Sequence, residues 1–181
     1  MTETTSTPPT LPTLVVKTVV VHTVTYFVAG ILAYTINGYQ AAYIQPPLSY
    51  FMRPTTDAVV MAGPLFQPIR GIIFALAFYP LRTILFAPPR GWLVMWWLLL
   101  ALGVLSTFGA ALGSIEGLIY TIVPPAKQIV GLWEVVLQSL LLSVILHHWV
   151  TRPDKRWLSW TLGVAFIVVL ALPLLGLATR K

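Results

Sequence analysis

The stretch Leu14–Ile36, LVVKTVVVHTVTYFVAGILAYTI, decides how the rest of the chain is read. Lys17 is its one full charge at neutral pH, and the remainder is dominated by Val, Ile, Leu, Ala, Tyr and Phe. An α-helix crosses the roughly 30 Å hydrocarbon core of a bilayer with about 20 predominantly apolar residues, so this run is long enough to span. It also exceeds the roughly 7 to 15 residues of a signal-peptide core and lacks a strongly basic start, which makes it a retained helix.

Upstream, Met1 to Pro12 is a Thr- and Pro-rich tail with too few apolar residues to pack, and disorder is expected there. Downstream, Asn37 to Asp57 mixes Gly38, Pro46, Pro47 and Pro54 with Tyr39, Tyr43, Tyr50 and Phe51. That composition reads as a short aromatic-rich interfacial loop at the level of the headgroups. Four more apolar runs follow, over about 59–86, 91–122, 129–150 and 157–178. Pro64, Pro68 and Pro80 punctuate the second run, Trp92, Trp96 and Trp97 open the third, and Pro124 and Pro125 close it.

Only 9% of the 181 residues are charged, against about 25% in a soluble domain, so the chain cannot cover its own surface with polar groups. The fold expected is all-α: a polytopic transmembrane helical bundle of about five spans forming one domain over 13–181. The net charge of +6 does not indicate nucleic acid, because the basic residues are scattered between apolar runs rather than gathered on one face. The partner expected is the lipid bilayer of the plasma membrane, together with further copies of the chain or other membrane subunits. With the N-terminus cytoplasmic, Lys17, Arg82, Arg90, Arg152, Lys155 and Arg156 fall on the cytoplasmic side. Arg53, Lys127, Arg180 and Lys181 then fall outside, which is the sense favoured by positive loops.

Charges inside the runs are the informative feature, since each costs about 2.5 to 3.5 kcal/mol at a helix centre even on the mildest scale. Arg70 lies early in the second run, Glu116 late in the third and Glu134 early in the fourth. Neighbouring helices run antiparallel, so early, late and early share one side of the membrane. Gln67 and Gln138 lie on the same helix faces as Arg70 and Glu134, and Tyr120 follows Glu116 by one turn. The candidate binding constellation is therefore Gln67, Arg70, Glu116, Tyr120, Glu134 and Gln138. Arg70 is expected within ion-pair reach of Glu116 or Glu134, beside a water-accessible cavity.

Ser106, Gly109, Gly113 and Gly117 make a second pattern, a stripe of small residues along the third run. Such a stripe lets helix backbones approach closely in lipid, so it is the expected site of the tightest helix packing. An alternative is that Gly113 to Gly117 unwinds and offers its carbonyls to a solute.

His22 shares a face with Thr18 and Thr25, an inward polar stripe, whereas His147 and His148 end the fourth run. Their depths differ by roughly 10 Å, too much for one haem between them. No cofactor and no metal is expected. No phosphate-binding glycine loop, zinc-protease helix motif or nucleophile elbow occurs, and the balance is against an enzyme. Two functions remain: a small membrane protein that binds or carries a polar or cationic solute at the Arg/Glu cluster, or a non-catalytic structural or accessory subunit of a larger membrane complex.

Overall fold

A computed structural model describes residues 8–179, and every regular element among them is helical. Helix α1 runs from Leu11 to Ile36, with Pro12 in its first turn, where a missing N–H costs nothing. Its 26 residues extend about 39 Å at 1.5 Å per residue. Gly38, at φ 60°, turns the chain into the short α2, Tyr39–Ala42, and a 3₁₀ turn at Leu48–Tyr50 follows. Helix α3, Ala58–Met61, is capped by Asp57, whose carboxylate accepts from the Val59 backbone N–H at 2.8 Å.

Helix α4 spans Gly63–Phe78 and α5 spans Arg82–Phe86. The expected single helix over 59–86 is thus three pieces. Pro64 and Pro68 are accommodated within α4, but Pro80 removes a donor and clashes with the preceding turn, so the helix stops at Tyr79 and restarts at Arg82. Helix α6, Gly91–Leu100, widens into a π turn over Ala101–Leu105. Then come α7, Ile115–Tyr120, α8, Pro125–Thr151, and α9, Arg156–Ala178.

Three of these helices, α1, α8 and α9, are long and apolar enough to cross a membrane, and Gly63–Phe78 and Gly91–Leu105 are shorter apolar helices. Helix α1 is the centre of the bundle and packs against α4, α8 and α9, while α6 lies on α8. Leu14, Val21, Leu85, Met95, Leu146 and Trp149 build the core. The closest approach of α1 to α4 occurs at Gly71, where a Cβ would stand 2.7 Å from the Val19 Cα. In lipid such backbone proximity is a main source of helix association.

The third expected span is overturned as a continuous helix. Its helix ends at Leu105, residues 106–114 are irregular, and α7 is a separate short element. Gly103, Ser106, Thr107 and Gly109 are all weak helix formers, and Gly113 adopts φ 86°, a left-handed conformation that a helix does not contain. Ser106, Gly109, Gly113 and Gly117 therefore form no stripe on one helix. Gly117 lies buried on α7 under Ala111 and Gln128, and Gly113 packs under Leu132. The close glycine contact between helices belongs to Gly71 instead.

Candidate functional site

The proposed constellation does not gather at one point: α4 and α8 distribute it over two hollows. The first, about 290 Å³, lies between the C-terminal half of α1, the α2 segment, α3 with the start of α4, and α8. Tyr26, Tyr34, Tyr39, Tyr43, Thr55 and Glu134 are among the residues that line it. The second, about 280 Å³, lies between α4, α6 with its π turn, the irregular stretch and α8. Arg70, Phe74, Gln138 and Ser139 line it.

The Glu134 hollow is wired from its ends. The Trp133 indole donates to Asn37 Oδ1 at 3.0 Å, Asn37 Nδ2 donates to the Tyr39 hydroxyl at 3.0 Å, and that hydroxyl donates to the Glu134 carboxylate. Asn37 occupies this place because it caps α1, and Gly38 then folds Tyr39 back over α8. The Tyr39 ring stacks on Tyr43 with centroids 4.8 Å apart. Burial, then the hydrogen bond to Glu134, push the Tyr39 phenol well above its ordinary value, against a smaller opposing effect of Asn37. Tyr43 is pushed up to about 12, by burial first and then by the charge of Glu134 and by Tyr26. Both hydroxyls are therefore neutral donors throughout the physiological range.

Arg70 is arranged differently. No ion pair joins it to Glu116 or Glu134, and among the described residues its one specific contact is with the Phe74 ring, 5.4 Å from the guanidinium carbon to the centroid. The expected ion pair is thus corrected. The physical reason is that Glu134 takes its hydrogen bond from Tyr39, and Glu116 sits in the first turn of α7, a helix whose start is displaced by the irregular stretch before it.

Gln67 lines neither hollow. Its amide nitrogen donates to the Gly63 carbonyl at 3.1 Å, so its oxygen is left to accept from His22 Nε2–H, also at 3.1 Å. His22 is fully buried on α1, edge-on to Phe74, with Nδ1 unpartnered. Gln67 is therefore a strut between α1 and α4. Tyr120 is 73% exposed on α7, and neither it nor Glu116 lines either hollow.

Gln128 is the residue that sequence reasoning missed. Buried in the first turn of α8, it accepts from the Gly113 backbone N–H at 3.0 Å. It also donates to the Val123 carbonyl at 2.7 Å and the Thr121 hydroxyl at 3.1 Å. One side chain thus fixes the whole stretch from Gly113 to Val123 against α8. Ser114 assists by accepting from the Gly117 backbone N–H at 2.9 Å as the cap of α7. The signal available in the sequence was an amide three residues after Pro125, in the first turn of a run that Pro124 and Pro125 open, following a run rich in glycine.

Fold and site together define an all-helical protein, among the described residues, with three helices fit to cross a membrane and two small hollows, one holding Glu134 and the other Arg70 in largely apolar walls. Compared with protein-family models, with curated proteins and with solved structures, the chain matches none.

Proposed function

We propose that the chain is a small integral membrane protein that binds a cationic small solute in the hollow beside Glu134. The observation that carries this reading is one carboxylate set among Tyr26, Tyr34, Tyr39 and Tyr43 around about 290 Å³. Aromatic faces attract a cation through their quadrupole, and a partly desolvated carboxylate supplies the countercharge, a combination that suits an organic ammonium better than a hydrated metal ion. The volume lies at the lower edge of the roughly 300 to 1,000 Å³ typical of small-molecule sites, so the solute is compact.

In this reading α4 and α6 enter the bilayer beside α1, α8 and α9, giving five crossings. The 16 residues of α4 extend about 24 Å, which falls short of a full hydrocarbon core and is accommodated by local thinning or by the flanking turns α3 and α5. The basic residues at the Lys17, Arg90 and Arg152 end make that end cytoplasmic, with the N-terminus inside and the Glu134 hollow toward the outside of a plasma membrane.

The test is calorimetric titration of the purified full chain with choline and with its uncharged tert-butyl analogue. Choline is expected to bind and the analogue to bind at least about tenfold more weakly. Glu134→Gln is expected to remove that discrimination while the fold, followed by circular dichroism, persists. Equal binding of the two compounds, or none, sinks the proposal and leaves the accessory-subunit reading in front.

A further inference from the structure

A cation does not suit the second hollow. Arg70 carries five N–H donors and lines this hollow with no hydrogen bond or ion pair among the described residues, and the Gln138 amide likewise makes no hydrogen bond among them. The neighbouring Ser139 hydroxyl already donates to the Val136 carbonyl at 3.0 Å. The walls therefore hold one unpaired positive charge with its N–H donors, beside an amide that can turn its own N–H2 toward an anion. Beyond the polar side the lining turns apolar, with Leu99, Val104, Leu112 and Leu142.

The backbone at this place is unusual too. Gly103 and Val104 come from the π turn, and Ala111 and Leu112 from the irregular stretch. π turns occur frequently at functional sites, and irregular backbone at membrane depth is tolerated where it lines a cavity. The irregular wall is also held in place, by Gln128 on Gly113. A rigidly held break in a helix, opening on an unpaired guanidinium, is what a built ligand site requires.

We propose that this cavity binds an amphipathic anion, a carboxylate or phosphate head on an alkyl chain. The head lies on Arg70 and Gln138, and the first part of the chain lies along Leu99, Val104, Leu112 and Leu142. A planar guanidinium pairs with two oxygens of one carboxylate or phosphate at once, so the head is fixed in orientation as well as in charge. A volume of about 280 Å³ admits a head and part of one chain, not the body of a diacyl lipid. The two sources of such a group are a free fatty acid in the bilayer and the head of an anionic phospholipid. The proposal is independent of the Glu134 reading, whose ligand has the opposite charge.

The test uses the purified full chain in a neutral detergent and compares dodecanoate, dodecanol and dodecyltrimethylammonium, which share one tail and differ in head. Dodecanoate is expected to raise the melting temperature and to bind at least about tenfold more tightly than dodecanol. Arg70→Gln is expected to remove that preference, Arg70→Lys to keep part of it, and Glu134→Gln to leave it unchanged. If Arg70→Gln does not fold, Gln138→Leu, which is expected to weaken dodecanoate several-fold, and the wild-type head series decide the matter. In nanodiscs, a higher melting temperature with phosphatidylglycerol than with phosphatidylcholine, together with loss of the dodecanoate response, identifies the lipid head as occupant. A dodecanoate response that phosphatidylglycerol leaves intact identifies the free acid. Equal binding of dodecanoate and dodecanol, undiminished binding by Arg70→Gln, or no response to any of these probes in the wild type overturns the proposal.

Discussion

The hollows beside Glu134 and Arg70 share α8 and have nearly the same volume, yet their charges are satisfied in opposite ways. Glu134 is served from within, by a chain of donors running from Trp133 through Asn37 to Tyr39. Arg70 has the face of the Phe74 ring and an open cavity. Opposite charges on neighbouring helices therefore need not pair, because a carboxylate that has found a phenol gains little from a guanidinium that must be brought to it. The walls differ in the same sense. Regular helix and a tight glycine turn enclose Glu134, whereas a broken helix pinned by one glutamine encloses Arg70.

The strongest way to separate the two hollows is to release that pin. Gln128→Ala leaves the Gly113 N–H and the Val123 carbonyl without their partner in a buried place. Each unsatisfied group costs about 1 to 3 kcal/mol, so a loss of about 2 to 4 kcal/mol is expected in thermal or denaturant unfolding. The dodecanoate response should disappear with it while choline binding stays. Loss of both together would show that the hollows are one cooperative unit and break the comparison.

The reciprocal change is Tyr39→Phe, which keeps the ring stacked on Tyr43 and removes the donor to Glu134. Hydrogen bonds to charged groups contribute about 1.5 to 3 kcal/mol, and the loss is expected toward the lower end because Glu134 is only partly buried. The dodecanoate response should be untouched. A Tyr39→Phe protein as stable as the wild type would mean that water serves Glu134 equally well, and the contrast between a wired and an unwired charge would lose its basis.

How much of this was legible in the sequence depends on which property each element rests on. The helices α1, α8 and α9 follow from apolar length alone, and their expected ranges lie within a few residues of the observed ones. The break after Leu105 was not legible as a break, because hydropathy does not distinguish a helix from an apolar irregular stretch whose polar backbone groups are satisfied by a side chain elsewhere, here Gln128. Of the unwinding expected, as an alternative, from Gly113 to Gly117, the structure has the left-handed φ at Gly113, while Ile115 to Gly117 are helical. Arg70, Glu134 and Gln138 stand out in any hydropathy scan. Which of them share a hollow depends on helix rotation and on the turn at Gly38, and neither is encoded in depth along a helix.

The smallest effect expected concerns the aromatic side of the Glu134 hollow, and its sign follows from burial. Below pH 10 the Tyr43 phenol is neutral in the folded and in the unfolded chain, so it contributes no pH dependence. Above pH 10 the unfolded chain begins to ionise, whereas burial and the charge of Glu134 hold the folded phenol neutral to about 12. Stability present below pH 10 is therefore lost progressively between about 10 and 12. Tyr39, shifted in the same direction, adds to the loss. Melting curves recorded from pH 8 to 12 should show the wild type falling by a few degrees more over the last two pH units than Tyr43→Phe, which has no phenol to ionise. A Tyr43→Phe curve parallel to the wild type would place Tyr43 in water rather than against Glu134, and the tyrosine wall of that hollow would have to be redrawn without it.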